Sequence, residues 1–129
     1  MKNAIILISH SKAITDGLKE LIDTMVSFDP DTLAVFSAGG DDTGAIGTTP
    51  MTVLNAYQEA TAADYIYVFT DMGSAVMSAE TALSFLAENE QEKFEILSDA
   101  PLVEGAYVAS VQCSIAATPE QVIAAVKEA

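Results

Sequence analysis

The residues of this chain best suited to chemistry are one histidine, one aspartate, and a set of hydroxyls and glycines at the ends of apolar runs. His10 is the only histidine. It stands where the apolar run Ala4–Ile8 gives way to the polar turn Ser9-His10-Ser11. An imidazole there can exchange a proton, bind a metal or carry a phosphoryl group near neutral pH. Asp71 follows a second apolar run, and its carboxylate can accept a hydrogen bond from one imidazole nitrogen. That would fix the tautomer and leave the other nitrogen as a nucleophile. Gly73 and Ser74 open the helix that follows, where backbone N–H groups at the positive end of the dipole suit an anion. Gly47 and Thr48 end a glycine-rich loop and offer a hydroxyl beside another helix start. Each has a plainer reading: His10 as a polar loop residue, Asp71 and Ser74 as helix caps, the loop as ordinary surface.

Taken together, these groups describe a phosphoryl relay. Phosphoryl transfer needs little beyond an in-line nucleophile and charge stabilisation. The chain has five lysines and no arginine, so no guanidinium of its own can clamp a phosphate. Backbone amides, hydroxyls, a lysine or a partner protein must do so. No metal site is expected, because one histidine and one remote cysteine cannot supply the usual three or four ligands of zinc. The lone Cys113 cannot form an internal disulfide and reads as a buried thiol. A cytoplasmic location is the corresponding expectation.

These residues need a scaffold that brings strand ends together. Short apolar runs alternate with helical stripes. Strands are predicted over 3–8, 33–38, 64–70 and 94–98, and helices over 12–28 and 49–61. Ile14, Leu18, Leu21, Ile22 and Met25 form the apolar stripe of the first helix. Thr49 and Pro50 read as the N-cap and first residue of the second. A third helix begins after Asp71-Met72-Gly73-Ser74 and is expected to carry Val76, Leu83 and Leu86 inward. The apolar segment 102–117 reads as a helix buried on two faces, partly by another subunit, and Pro119 starts a last amphipathic helix. This order predicts an α/β fold, a doubly wound, mostly parallel open sheet with helices on both faces. Ligands of such sheets bind at the carboxyl ends of the strands, at the switch in strand order, where His10 and Asp71 are placed. The loop Gly39–Thr48 is expected to be the most mobile piece, with glycines that allow close approach of a ligand.

Residues 1–129 fit a single domain with a real core. A net charge of −14, from 19 acidic residues against five lysines, argues against nucleic acid and against anionic membrane surfaces. It fits a soluble protein, and more weakly one that docks onto basic partners. No apolar run approaches the roughly 18 residues of a transmembrane helix.

Four stretches carry a resemblance that spans essentially the whole chain in order and spacing: LISHSKAITDG, AGGDDTGAIGTTP, TDMGSAVMSAETAL and APLVEGAYVAS. Together they resemble the DhaM family, the phosphotransfer subunits of phosphoenolpyruvate-dependent dihydroxyacetone kinases. That family is itself similar to the mannose-type IIA (EIIA) proteins of the sugar phosphotransferase system. The resemblance implies that phosphorylated HPr donates its phosphoryl group to the strand-end histidine, here His10. The phosphohistidine then rephosphorylates ADP held in the DhaL subunit, which with DhaK phosphorylates dihydroxyacetone (glycerone). The chain would need no nucleotide cofactor of its own, since ADP and ATP stay with DhaL. His10 takes the role of phosphoryl carrier and Asp71 that of its orienting carboxylate, with Gly73, Ser74, Gly47 and Thr48 as supporting phosphate-binding groups. The resemblance also implies a homodimer and one antiparallel strand in the sheet.

Three other readings compete. A mannose-type IIA component would use the same histidine to phosphorylate the IIB partner of a sugar permease. A response-regulator receiver would use Asp71 as acceptor, but it wants an acidic pair after the first strand, where Ser9-His10-Ser11 stands. It also wants a lysine after the last strand, where Asp99-Ala100-Pro101 has none. A flavodoxin-like carrier would need a phosphate loop after the first strand and gains no tryptophan here to stack on a flavin.

Overall fold

The computed structural model describes residues 1–129. Four strands, β1 (Asn3–Ile8), β2 (Leu33–Ser37), β3 (Tyr65–Thr70) and β4 (Phe94–Ile96), pair in the order β2-β1-β3-β4. All three pairings are parallel. Six helices connect and cover them: α1 (Lys12–Met25), α2 (Pro50–Ala60), α3 (Gly73–Ser84), α4 (Glu88–Gln91), α5 (Leu102–Ser114) and α6 (Pro119–Lys127). The strand order reverses between β1 and β3, which makes their carboxyl ends the switch point of the sheet.

Every residue of β1 is buried, as its unbroken apolar run requires of a central parallel strand. The strand alternation divides the core in two. Ala4, Ile6 and Ile8 of β1 join Ile66 and Val68 of β3 under α2 and α3. Ile5 and Leu7 join Tyr67 and Phe69 under α1, α5 and α6. Local chemistry starts the helices where the sequence indicates. The Thr49 hydroxyl accepts from Thr52 N with Pro50 in the first turn of α2. Thr118 and Gln121 form a reciprocal capping box at the start of α6.

Several boundaries and faces differ from expectation. α1 stops at Met25 rather than residue 28, because Val26 turns extended and the Asp29 carbonyl accepts from Thr32 N and Leu33 N in a turn around Pro30. α5 stops at Ser114, and Ala116 adopts a positive φ of 58° to reverse the chain into α6. Within the chain, α5 buries Gly105, Ala106, Ala109, Ser110 and Cys113, with Leu102, Tyr107, Val108 and Val111 partly buried beside them. α3 turns Ala75, Ser78, Ala79 and Ala82 inward, with Leu83 and Leu86 at the core margin and Val76 outside the core. A stripe of small side chains lets the helix settle close to its neighbours. The expected antiparallel strand is absent from this sheet: after β4 the chain turns through 97–101 and continues only as the helices α5 and α6. No helix is long and apolar enough to cross a membrane.

Hydrogen bonds anchor the loop 39–48 to the turn after β1. Gly40 N donates to the Ser9 carbonyl and Gly47 N to the His10 carbonyl, at 2.9 and 2.8 Å. One oxygen of Asp41 accepts from Thr43 N, Thr43 Oγ1 and Ala45 N. The Thr43 hydroxyl first, with these amides, holds the Asp41 carboxyl below its ordinary value. The close approach that Gly39 permits is to the protein itself: a Cβ there would lie 2.6 Å from the Ser11 carbonyl oxygen.

Candidate functional site

His10 follows β1 and Asp71 follows β3, and the register that pairs Ile8 with Thr70 sets them side by side. Asp71 Oδ1 and Oδ2 lie 3.1 and 3.2 Å from His10 Nδ1. A carboxylate can only accept, so Nδ1 carries the proton and donates. The other ring nitrogen, Nε2, then presents a lone pair. The Ser74 hydroxyl donates to it at 2.5 Å. The imidazole is thus held at both edges while its side chain stays 25% exposed, enough for a second molecule to reach it.

The Asp71 carboxylate is fixed by groups other than the imidazole. Oδ2 accepts from His10 N and from Ser9 Oγ, both at 2.9 Å. Oδ1 accepts from Met72 N at 2.7 Å. Burial disfavours the charged form of Asp71. The hydrogen bonds from His10 N, Ser9, Met72 N and the His10 ring outweigh it and hold the carboxyl below its ordinary value. Asp71 and Ser74 are therefore not capping residues. The N-cap of α3 is Met72, with no side-chain cap hydrogen bond, and both polar side chains are turned to His10 instead.

His10, Gly47, Thr48 and Ser74 line one shallow, open depression of about 350 Å³, with Pro50, Met77, Ser78 and Thr81 completing its walls. Gly47 reaches it through its hydrogen bond to the His10 carbonyl, at a φ of 142° that favours glycine. The Thr48 hydroxyl lies 3.0 Å from Ser78 Oγ, so it joins a group of hydroxyls on the wall without touching the imidazole. Gly73 is the first residue of α3, exposed, and no contact ties it to the depression. Two participants were not read from the sequence. Ser9 is completely buried beneath His10; its place next to the histidine was the available signal. Ser78 stands four residues after Ser74, so the helical repeat puts both hydroxyls on one face.

The walls offer hydroxyls and backbone but no cation. Lys12, two residues beyond His10, is engaged with Asp16 at 2.6 Å. No group of three or more His, Cys, Asp or Glu side chains is arranged to hold a metal ion. Small-molecule substrates are usually enclosed in deep, mostly apolar clefts. An open depression with a tautomer-locked imidazole suits instead a transfer in which a second macromolecule brings the group to Nε2 and covers the site.

The match to known sequences places the chain in a class, the IIA components of the phosphotransferase system. The family model EIIA-man, described as the PTS system fructose IIA component, matches residues 4–123. Within it, the relatives share one name. The chain is 42% identical over 120 residues to the phosphoryl donor subunit DhaM of PEP-dependent dihydroxyacetone kinase 2 from Listeria innocua, covering 93% of each chain. It is 35% identical over 122 residues to the phosphotransferase subunit DhaM of the PTS-dependent dihydroxyacetone kinase of Lactococcus lactis, covering 95% of this chain and 91% of that one. The DhaM subunit of Escherichia coli is 36% identical over 119 residues, but these span only 25% of its length. A crystal structure of a protein of unknown function superposes with a TM-score of 0.85 at 38% identity, over 98% of this chain and 94% of that one. A DegV family protein of Corynebacterium glutamicum, at 12% identity and a TM-score of 0.61 over 98% of this chain and 48% of that one, shares the fold alone. The chain belongs to the EIIA-man family, in its DhaM group.

Proposed function

We propose that this protein is the phosphohistidine carrier of a phosphoenolpyruvate-dependent dihydroxyacetone kinase. It accepts a phosphoryl group from phospho-HPr on His10 and passes it to ADP bound in a DhaL subunit, which acts with DhaK on dihydroxyacetone. One observation carries the reading: Nδ1 of His10 is engaged by Asp71 while Nε2 faces an open depression through Ser74. The names of the relatives, which are phosphoryl donor subunits of such kinases, support the choice of system.

The chemistry follows from that arrangement. The Nε2 lone pair attacks the phosphorus of the donor's phosphohistidine in line, the N–P bond to Nε2 forms, and the donor's N–P bond breaks with the electron pair returning to the donor imidazole. The proton on Nδ1 stays in place, so the ring becomes a cation facing the Asp71 carboxylate, which stabilises it. The Ser74 hydroxyl loses its acceptor when Nε2 is substituted and turns to a phosphoryl oxygen. Neighbouring hydroxyls and backbone N–H groups meet the remaining charge. The second transfer reverses these roles, with a β-phosphate oxygen of ADP as nucleophile and His10 as leaving group. The protein binds no nucleotide, metal or other cofactor of its own in this cycle and needs no membrane. It works in the cytoplasm as a homodimer.

The test is intact-mass spectrometry after incubation with phosphoenolpyruvate, Enzyme I and HPr, omitting each component in turn. A single acid-labile phosphate that requires HPr and is lost in His10→Ala supports the carrier role. No adduct would overturn it. The family description as a IIA component supports a second reading, in which the acceptor is the IIB partner of a sugar permease. Mixing the phosphorylated protein with ADP-loaded DhaL, and separately with IIB, decides between the two.

A further inference from the structure

We propose that Ser9 is a positioning residue for phosphoryl transfer, acting on His10 through Asp71. The inference rests on the carrier role of His10 and concerns how that imidazole is kept in its reactive form. Ser9 lies between the last residue of β1 and the histidine, and it is completely buried. Its hydroxyl is fully used: it donates to Asp71 Oδ2 at 2.9 Å and accepts from Ser11 N at 3.0 Å. Its carbonyl accepts from Gly40 N at 2.9 Å, which fixes the backbone around it.

The arrangement at Asp71 gives this hydroxyl its leverage. The carboxylate receives three hydrogen bonds that do not involve the imidazole, from His10 N, Met72 N and Ser9 Oγ. Two of the donors are backbone amides, Met72 N from the next residue and His10 N placed by the β1–β3 register. The third, Ser9, comes from a side chain, and it meets the same oxygen as His10 N. Together these two donors set the plane of the carboxylate, and that plane decides how squarely Asp71 faces Nδ1. Without the Ser9 hydroxyl, the carboxylate is held only by His10 N, Met72 N and the ring itself, and its facing toward Nδ1 is less strictly set. The bias toward the Nδ1–H tautomer then falls, and with it the fraction of molecules whose Nε2 is free to attack. Hydrogen bonds to charged groups are among the stronger ones, and a partial loss of this bias should change the tautomer ratio by about tenfold.

A merely structural role is the competing account: Ser9 also supports Ser11, the N-cap of α1. The two separate cleanly because His10 is the only histidine. Protein labelled with 15N-histidine gives one imidazole, whose ring shifts report its tautomer directly. We expect the wild type to be predominantly the Nδ1–H form. Ser9→Ala should move the ratio about tenfold toward the other tautomer and lower kcat for phosphoryl uptake from phospho-HPr in proportion to the lost Nδ1–H fraction, with KM for the donor unchanged. Ser9→Cys, of similar size but a weaker donor, should fall between the two, and it carries the test if Ser9→Ala does not fold. A variant that loses thermal stability while tautomer and kcat stay at wild-type values would overturn the proposal and leave Ser9 a structural residue. If wild-type protein takes up no phosphoryl group but the tautomer still shifts in the variants, the carrier role fails and the positioning role stands.

Discussion

Asp71 grips His10 twice: one carboxylate oxygen takes the histidine's backbone N–H at 2.9 Å, and the carboxylate faces its ring Nδ1 at 3.1 Å. The main chain and side chain of His10 are thereby referred to the same anchor, across the β1–β3 pairing at the switch point of the sheet. The ring therefore stands in a fixed pose, although it sits on a turn and is partly exposed. Pre-organisation of this kind is what an in-line displacement asks of its nucleophile.

Replacing His10, the carrier proposed above, should abolish transfer and spare the fold. The His10 ring bonds only Asp71 and Ser74, and its backbone bonds survive substitution. His10→Gln is expected to take up no phosphate in the HPr-dependent mass assay and to unfold within about 0.5 kcal/mol of the wild type, as substitutions outside the core usually do. Residual HPr-dependent uptake at wild-type rates would put the carrier elsewhere.

Asp71→Asn should slow transfer by about 10- to 100-fold, the worth of a charge-assisted hydrogen bond. It should also change how stability responds to acid. The Asp71 carboxyl is held below its ordinary value by its hydrogen bonds, against the opposing effect of burial. A lowered carboxylate contributes stability that is fully present above its unfolded value of 3.8 and is lost as pH falls through the folded value. Denaturant titrations should therefore show the wild type more stable than Asp71→Asn at neutral pH, with the gap closing below pH 3.8. A gap that stays constant from neutral pH into that acidic range would mean that the carboxylate does not contribute through its charge.

What the sequence disclosed was the part written in local rules. An all-apolar run ending in Ser-His-Ser gave a buried central strand with a histidine at its tip, Thr49-Pro50 marked the start of α2, and Pro119 that of α6. The pairing of His10 with Asp71 followed from strand order. What escaped depended on packing distances and on bonds between distant segments. Val76 looked like a core residue, yet the helix turns its alanines inward because only small side chains allow the close approach. Ser9 carried no periodic signal, and its importance lies in a bond to a residue 62 positions away. α4 is a single turn, ENEQ, with no apolar face to announce it.

Ser74→Ala tests the hydroxyl on the reactive side of the ring. Its loss leaves Nε2 facing water in the free protein and removes a donor to the phosphoryl group in the charged one. The second effect is larger, because hydrogen bonds to ionised acceptors are about twice as strong as neutral ones. The phosphorylated state should be disfavoured by about tenfold against phospho-HPr. The equilibrium fraction of phosphoprotein in a titration with HPr reads this directly, and no change would take Ser74 out of the site.

Gly105 shows why the segment APLVEG carries a glycine. A Cβ there would sit 3.1 Å from Ala100 Cβ and 3.2 Å from the Phe69 ring, where α5 lies on β3. Gly105→Ala meets tight but not impossible contacts and gains about 1 kcal/mol of helix propensity, so its net effect should be small. Gly105→Val adds branches where there is no room and should cost about 1–3 kcal/mol. Thermal melts of the two variants should separate them by several degrees, and equal melting points would mean that α5 moves off Phe69 freely.

Cys113 is the one thiol, completely buried on the inner face of α5. Burial pushes its pKa up to about 12, so at neutral pH it is a protonated, inaccessible group. Reactivity of cysteine follows the thiolate and its exposure. A thiol reagent at pH 8 should therefore leave the folded protein unmodified and react stoichiometrically once denaturant has unfolded it. The labelling rate should track the opening of α5, and weakening that helix by Gly105→Val should raise it. Rapid labelling of the native protein would place the thiol near the surface and contradict the packing of α5 on the sheet.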